Sequence, residues 1–413
     1  MNKIAGLLVV ISSVITAQQQ MSLKDCEEAF QKNNLLLLAE QYNINIADAD
    51  VIQSRIWDLP ELSGQLNAYN PEGRKVFDIG QAKGAQITQL IYLGGKKKGE
   101  IAFAKSNKEL AVLQFSQLLV DLKSKLHSAF FSLHYEKLKL SNVNRQLLYL
   151  NELLAAYKVQ SARGNISLKD EVRLQSVVIQ LNNDQQEINN NILEIDQLLK
   201  MLTGITEDIE TEISDEEINE VLSSQPFSET EELIQAALDN NAEYQYHLKL
   251  IDNSKLYHQW QKTLNVPDLN LGLGWDQNGG TFKNELNLVI GIPLPLWKKN
   301  QGNVEKAHYL IKQNETTAAY QKLHLETKVQ AAYQSWRNHY QLHSTIQAKD
   351  ISNLETVFNG MLKNFKNGNI SLIEFTDFME SYRQSILQIY DMRNRLIQSA
   401  AELNQLVQTK IFY

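Results

Sequence analysis

The sequence has almost no cysteine. Of its 413 residues only Cys26 is a cysteine, so neither an internal disulfide nor a cysteine-based metal cage can form. Cys26 also fails as a lipid-attachment site, because Asp25 precedes it where a lipoprotein signal carries a small residue. The remaining interpretation of Cys26 is an ordinary helix residue.

Catalytic motifs are lacking as well. His339 and His343 have the i, i+4 spacing of metal ligands on one helix face, but Tyr340 stands where a zinc protease needs glutamate. Ordinary surface histidines are the simpler interpretation. The glycine-lysine run at 94–99 lacks the glycine spacing and the Ser or Thr of a P-loop, which favours a strand-to-helix turn. We therefore predict no enzyme, no cofactor and no metal site.

Positive charge and long apolar runs are scarce. The formal net charge of −8 gives no reason to expect a nucleic-acid partner. Lys3, an apolar run over 4–15 and the small Ala17 predict a signal peptide over 1–17, with the buried first helix of a cytosolic protein as the alternative. Beyond that run no stretch is apolar enough for a transmembrane helix. Such an exported chain is periplasmic, secreted or an outer-membrane β-barrel.

The sequence does contain an internal duplication. The pentapeptide Gly-Asn-Ile-Ser-Leu occurs at 164–168 and again at 368–372, and other partly matching segments keep nearly the same offset. The predicted parts are a first repeat over 18–203, a linker over 204–228 and a second repeat over 229–413.

Each repeat follows one plan: a helix, two strands, a very long helix, a tight Gly-Asn turn and a returning helix. Apolar residues between 115 and 157 keep the alternating four-three spacing of a coiled-coil seam, broken only by Glu136. One helix over 98–160 would be roughly 95 Å long at 1.5 Å per residue, which a compact domain does not need. The turns are predicted near 161–168 and 364–372.

The predicted strands follow a period of two. The segments 269–275 and 286–294 alternate apolar and polar residues, as a strand between lipid and water requires. A soluble hairpin layer packed on a core is the alternative. The residues over 76–93 alternate poorly, and only their partner in the repeat supports a strand there. The predicted β-hairpins cover 59–93 and 266–296.

Aromatic and basic residues mark the strand ends. Tyr92 and Trp297 lie at equivalent strand ends and are followed by lysines, as expected of membrane-interface aromatics beside lipid headgroups. Four strands cannot close a barrel on their own, so the exposed strand edges predict oligomerisation.

Several short motifs occur in the same order in both halves. They are the helix ends at Asn33-Asn34 and Asn240-Asn241, Leu59-Pro60-Glu61-Leu62, Gly291-Ile292-Pro293-Leu294-Pro295-Leu296, Asn300-Gln301-Gly302-Asn303, and the two Gly-Asn-Ile-Ser-Leu segments. In this order they resemble the TolC-like family of outer-membrane efflux proteins. The resemblance implies a mainly α fold with a small β part. Three chains would form a homotrimer with a twelve-stranded transmembrane β-barrel, four strands from each chain, above a periplasmic α-helical coiled-coil barrel. The linker 204–228 would lie in an equatorial belt.

The resemblance also implies a function and partners. It implies a passive, gated duct in the outer membrane that extends into the periplasm and exports small molecules or metal ions. A periplasmic adaptor protein and an inner-membrane pump of the RND type would be its partners, with outer-membrane lipid around the barrel. The stretch 297–303 is similar to the heavy-metal branch, which exports cobalt, zinc and cadmium or copper and silver. A periplasmic coiled-coil adaptor or scaffold without a pore is the alternative. A passive uptake porin fits poorly, because it needs little periplasmic mass.

The resemblance assigns roles to residues at the two turns. Glu374 and Asp377, with Asp170 in the first half, match acidic residues that line the periplasmic entrance of the family, where three-fold symmetry would form anionic rings. Carboxylates favoured by a helix N-terminus are the alternative. No arginine follows the second tip glycine, so the resemblance does not identify the residues that lock the gate. The predicted adaptor-docking tips are Arg163, Gly164, Asn165, Ile166 and Ser167, and Gly368, Asn369, Ile370 and Ser371.

Overall fold

The computed structural model describes residues 19–80, 82–226, 229–278, 282–294, 296, 299–346 and 348–412. The predicted signal peptide and Trp297 lie outside these residues. The chain divides into two compact units. The first unit takes residues up to Leu38, Leu118–Asn240 and the segment from Leu325 on; the second takes Ala39–Gln117 and Asn241–His324. Each unit thus contains segments of both predicted repeats.

Helices make up 72% of the structure, which confirms the predicted mainly helical fold with a small β part. Among the described residues, no helix is both long and apolar enough to span a bilayer. The helices are α1 (Leu23–Asn33), α2 (Leu35–Ser54), α3 (Lys96–Ala162), α4 (Leu168–Thr203), α5 (Asp215–Ser223), α6 (Thr230–Asn240), α7 (Ala242–Thr263), α8 (Gln301–Ser344), α9 (Ala348–Lys366) and α10 (Leu372–Val407).

Within the described ranges the strands form three small sheets. Two of them are pairs of short strands that were not predicted from the sequence. Gln19–Met21 pairs with Ile209–Thr211, and Tyr69–Asn70 pairs with Lys75–Val76. The other four strands form one antiparallel sheet in the order β2-β5-β7-β8. The strands are β1 (Gln19–Met21), β2 (Glu61–Leu66), β3 (Tyr69–Asn70), β4 (Lys75–Val76), β5 (Ala82–Ile91), β6 (Ile209–Thr211), β7 (Leu269–Asn278) and β8 (Phe282–Gly291).

The predicted leading helix of each half ends at its Asn-Asn motif, and a second helix that was not predicted separately follows it. Asn34 ends α1, and its side-chain oxygen accepts a hydrogen bond from the N–H of Leu37 at 2.9 Å at the start of α2. Asn241 does the same for Tyr244 at the start of α7, at 3.0 Å. An asparagine side chain replaces the missing acceptor at a helix N-terminus, so each Asn-Asn motif gives a cap at a helix break.

The two long helical hairpins also differ from each other. α3 is one helix of 67 residues, as predicted. In the second half the prediction of one very long helix is wrong, because α8 ends at Ser344 and α9 begins at Ala348. The N–H groups of Thr345 and Ile346 bond to carbonyls three residues back, at 3.2 and 3.0 Å, which tightens the last turn and ends α8.

The core of the first unit lies between α3, α4, α9 and α10. The predicted seam leucines of α3, including Leu147, Leu150 and Leu154, are buried there. Stacked rings join α9 to α10, with Phe365 and Phe375 at 4.3 Å between centroids. α4, with 36 residues, is about 54 Å long at 1.5 Å per residue. Apolar burial therefore holds two extended helical hairpins side by side in this unit.

Candidate functional site

The first hairpin tip is a tight turn built around a glycine. Gly164 has φ +76, a left-handed conformation that glycine adopts without a Cβ penalty. Its N–H bonds to the carbonyl of Ser161 at 2.9 Å, and the N–H of Asn165 bonds to that of Gln160 at 3.0 Å. This pair of bonds is a Schellman C-cap, which satisfies the last carbonyls of α3.

The second tip repeats this turn. Gly368 has φ +73, its N–H bonds to the carbonyl of Phe365 at 3.0 Å, and the N–H of Asn369 bonds to that of Asn364 at 2.9 Å. The serine three residues after each glycine then caps the returning helix: Ser167 is the N-cap of α4 and Ser371 is the N-cap of α10. The repeated pentapeptide therefore encodes one complete helix stop and restart, twice.

The predicted entrance carboxylates lie just past these caps. The N–H groups of Asp170 and Glu374 each bond to the capping serine oxygen, Ser167 or Ser371, at 3.2 Å. The carboxylate of Asp170 also accepts the hydroxyl of Ser167 at 2.7 Å, so it has a local capping role. The side chains of Glu374 and Asp377 are exposed on α10. Their assignment to the channel entrance stays a prediction.

The other tip residues predicted to dock an adaptor are accessible. Arg163, Asn165 and Asn369 are exposed, while Ile166 and Ile370 are half-buried. Ile370 packs against the core of the first unit. The structure thus gives the second tip an apolar anchor beside exposed polar residues; the docking role of both tips stays a prediction.

Charged contacts join the two helical hairpins, and the sequence did not reveal them. Lys139 of α3 is buried and donates hydrogen bonds to Glu136 and to Asp391 of α10, both at 2.6 Å. Burial alone would lower the pKa of Lys139, but these two carboxylates raise it overall. The signal was present, because Glu136 was the one break in the predicted seam. Near it, Arg145 donates to the Tyr382 hydroxyl at 3.0 Å.

The four-stranded sheet of the second unit has one apolar and one polar face. In the antiparallel register Leu62 lies opposite Ile87, Ile87 opposite Leu273, and Leu273 opposite Leu288. Residues directly opposite each other share a face, so these four side chains form one row across the sheet. All four are exposed, between 48% and 76%.

The opposite face carries polar side chains and glycine. The adjacent row is Ser63, Gln86, Gly274 and Asn287. The predicted alternation therefore holds in three dimensions, and β5 joins it although its sequence alternates poorly. β5 is paired on both sides, so its backbone hydrogen bonds do not depend on a clear side-chain pattern.

Tyr92 lies at the end of β5 beside other amphipathic groups. Its hydroxyl donates to Asp58 at 2.6 Å, its ring packs 5.7 Å from that of Trp57, and Lys97 lies 5.4 Å from its ring centroid. Trp57 is 51% exposed. Trp57 is therefore a second aromatic of this group that the sequence analysis missed. The interface role predicted for Tyr92 stays a prediction.

The paired histidines are half-buried rather than fully on the surface. Burial and the nearby charge of Arg395 lower the pKa of His339, and burial and Arg393 lower that of His343. Each histidine thus lies beside a cation.

Similarity to known proteins agrees with this geometry. A family model described as outer membrane efflux protein matches residues 233–408. The cobalt-zinc-cadmium resistance protein CzcC of Cupriavidus metallidurans is 20% identical over 377 residues, which are 91% of this chain and 87% of that protein. The chain is similar to outer membrane efflux proteins over most of its length. The predicted resemblance is therefore confirmed.

Solved structures share the fold. The structure of CusC gives a TM-score of 0.73 at 14% identity and covers 93% of this chain and 91% of its own. The CmeC outer membrane channel of Campylobacter jejuni gives 0.74 at 12% identity, over 93% of this chain and 85% of its own. The outer membrane protein VceC of Vibrio cholerae gives a TM-score of 0.70 at 12% identity, and the match covers 93% of this chain and 95% of the VceC chain.

The similarities agree with the predicted broad function and location. As predicted, the chain is the outer-membrane channel component of an efflux system and extends into the periplasm. The similarities give no support to a pore-free periplasmic scaffold. The family consists of transport channels rather than enzymes.

Proposed function

We propose that three copies of this efflux protein form one closed duct, with a twelve-stranded β-barrel in the outer membrane and a helical barrel in the periplasm. The observation that carries the proposal is the apolar row Leu62, Ile87, Leu273 and Leu288 on the exposed face of the sheet. A soluble protein would bury such a face, whereas lipid covers it in a barrel.

The sheet also needs partners at its edges. β2 and β8 are the edge strands, and among the described residues neither pairs with a further strand. In lipid every backbone N–H and C=O must find a hydrogen-bond partner, which an open sheet cannot provide. Pairing the β8 edge of one copy with the β2 edge of the next closes the sheet without any other protein.

A helix of the first unit offers a matching contact surface. α4 exposes an apolar stripe along its length. On a helical wheel with 100° per residue, the side chains of the stripe lie within about 80° of each other. The stripe is Leu168, Val172, Ile179, Leu193 and Met201. An apolar stripe of this length on a helix favours packing against another helix. We assign it to the neighbouring copy in the helical barrel.

The resemblance to outer membrane efflux proteins supports the proposed partners of the duct. An inner-membrane pump of the RND type delivers the cargo, and a periplasmic adaptor joins the pump to the tips at Gly164 and Gly368. The duct itself is passive and catalyses nothing. Glu374 and Asp377 would then lie at the entrance, where their exposed carboxylates repeat three times around the axis and attract cations.

We assign divalent metal ions to the cargo. The support is the relative CzcC, whose name gives cobalt, zinc and cadmium resistance and which spans 91% of this chain. Deletion of the gene tests this assignment. We expect growth to become sensitive to Co²⁺, Zn²⁺ and Cd²⁺, with unchanged sensitivity to detergents and drugs. The opposite pattern would assign the duct to drug export.

Purified protein tests the duct itself. Cross-linking in detergent should give trimers, and the same sample should form conducting channels in planar bilayers. A control that replaces Leu273 and Leu288 by Asp places charge on the lipid face and should prevent insertion. A protein that stays monomeric and leaves bilayers non-conducting would contradict the proposal.

A further inference from the structure

A recess lies on the polar face of the four-stranded sheet. Its volume is about 210 Å³. The side chains around it that carry oxygen atoms are those of Ser63, Gln65, Gln86, Asp276 and Asn287. We call it the Asp276 recess.

Two glycines create the recess. In the register one row runs Gln65, Gly84, Asp276 and Glu285, and the next runs Ser63, Gln86, Gly274 and Asn287. Each row therefore has one position without a side chain, Gly84 on β5 in the first row and Gly274 on β7 in the second. These two positions are diagonal neighbours on the sheet. A Cβ added to Gly274 would lie 3.7 Å from that of Gln86 and 3.9 Å from that of Asn287, in the space between them.

One carboxylate oxygen at the recess has no donor. Oδ2 of Asp276 accepts a hydrogen bond from the amide of Asn287 at 2.7 Å. Oδ1 is shielded from solvent, and no described protein group donates a hydrogen bond to it. A buried acceptor without a donor is rare in folded proteins, and a bound ion or water molecule is one way to satisfy it.

A second carboxylate lies beside Asp276. Glu285 lies directly opposite Asp276 on β8 and adds a second carboxylate to the same face. Lys83, on the neighbouring strand β5, belongs to the apolar face, and its ammonium lies 5.8 Å from the ring centroid of Trp275. No salt bridge to Asp276 is formed by the described lysines and arginines. The recess therefore attracts a cation and repels an anion.

The oxygen atoms decide the class of cation. One carboxylate with neutral amide and hydroxyl oxygens is the donor set of a hard cation that keeps part of its water shell. There is neither a thiolate nor an imidazole among the lining side chains, so soft copper(I) is a poor fit. Few protein ligands also mean weak binding, which a conducting pathway needs if ions are to leave.

We propose that the Asp276 recess is a weak binding site for a partly hydrated divalent metal cation on its way through the channel. The proposal rests on the proposed function, because the polar face must line the pore for the site to meet exported ions. Three such recesses would lie at one level of the barrel wall, and each would hold an ion briefly between the periplasm and the exterior.

Binding to the purified protein tests the site without requiring conduction. Mn²⁺ serves as the probe, because free and bound Mn²⁺ differ in their electron paramagnetic resonance. Both samples carry Glu374→Ala and Asp377→Ala, which removes ions held at the tips. We expect the protein with Asp276 to bind one more Mn²⁺ per chain than the Asp276→Asn variant. Equal binding by the two would overturn the proposal.

Current block in planar bilayers then tests transit. In the same background, we compare the Co²⁺ concentration needed to halve the current. Asp276→Asn should raise this concentration about fivefold, which is the effect expected for loss of one partly exposed charge contact. Gly274→Ala keeps every charge but places a methyl group in the recess beside Gln86 and Asn287, and it should act in the same direction. Its backbone φ is not positive, so alanine is tolerated.

Glu285→Gln provides the matched control. Glu285 carries the same charge on the same face but does not line the recess. Glu285→Gln should therefore change the half-blocking Co²⁺ concentration by less than half as much as Asp276→Asn does. If Glu285→Gln equals Asp276→Asn, or if Gly274→Ala has no effect, the binding is diffuse charge attraction and the recess is not a site. If block by an alkylammonium ion depends on Asp276 as strongly as block by Co²⁺, the assignment to metal cations is wrong.

Discussion

The guanidinium of Arg383 on α10 contacts the carboxylate of Asp184 on α4, so one ion pair joins the returning helices of the two hairpins. Arg383 also contacts Glu380 at 2.6 Å. The side chains of Arg383 and Asp184 are only 14% and 22% exposed. An ion pair shielded in this way resists screening by salt, and its loss leaves a partly buried charge without a partner.

Replacing Arg383 by Ala should destabilise the contact between the hairpins. The variant leaves Asp184 without its charged donor, which costs about 1.5 to 3 kcal/mol for a hydrogen bond to a charged group. Hydrogen exchange at α4 and α10 should become faster. The pair of Lys24 and Glu28 is the control, because both side chains are at least 70% exposed. Lys24→Ala should therefore change stability by less than about 0.5 kcal/mol. Equal effects of the two variants would show that Arg383 is not a tie between hairpins.

The tip glycines should be sensitive to substitution for a backbone reason alone. No atom lies within 4 Å of a Cβ added at Gly164 or Gly368, so alanine meets no clash there. The positive φ remains, and Gly164→Ala or Gly368→Ala should each cost about 1 to 2 kcal/mol. Gly360→Ala is the control inside α9, where alanine should stabilise by up to about 1 kcal/mol. Thermal unfolding measures all three. A stabilising effect at either tip would contradict the described turns.

Acid should weaken the contact between α1 and α3. The hydrogen bond from His127, at 2.5 Å, lowers the pKa of Glu27 from 4.5 to about 2, with help from Lys123 against the opposing effect of burial. Because the folded state holds the carboxylate charged, its stabilisation is present above about pH 4.5 and is lost as the pH falls towards about 2.

Glu27→Gln should remove that part of the acid sensitivity. The melting temperature is measured at about pH 5 and at about pH 3 in the wild-type protein and in the variant, and the difference between the two pH values should shrink in Glu27→Gln. Glu28→Gln alters the exposed neighbour and should leave the difference unchanged. An unchanged pH response in Glu27→Gln would show that the pair with His127 does not act in this way.

The exposed carboxylates of α10 should control how cations enter the channel. Glu374→Ala combined with Asp377→Ala should weaken block by multivalent cations added on the periplasmic side of a planar bilayer. The cause is the loss of two negative charges per chain at a narrow opening. Asp170→Asn is the comparison, since the Asp170 carboxylate already accepts the Ser167 hydroxyl and should contribute less. Unchanged block in the double variant would remove these residues from the entrance.

Periodic features could be predicted from the sequence because many residues repeat the same signal. Leu147, Leu150 and Leu154 are buried in the predicted seam, and the row ending in Leu288 lies on the predicted apolar face. The two Gly-Asn turns were also visible, because a glycine followed by a capping serine is a local signal.

Features that depend on tertiary contacts could not be predicted. The break after Ser344 contains neither proline nor glycine, so no local signal marks it. The parallel pairing of Gln19–Met21 with Ile209–Thr211 joins two three-residue strands that are too short to show a period. Glu136 looked like an interruption of the seam because its partner Asp391, reached through Lys139, lies on a helix more than 250 residues away.

The orientation of the sheet is the central claim, and neighbouring residues on β8 test it most directly. Spin labels are attached to cysteines placed at Asn287 or Leu288 in a chain whose buried Cys26 is replaced by serine, and the protein is reconstituted in bilayers. A label at 288 should be relaxed mainly by oxygen dissolved in lipid, and a label at 287 mainly by a water-soluble nickel chelate. If the nickel chelate reached both positions equally, or reached 288 in preference to 287, the sheet would not separate lipid from a water-filled pore.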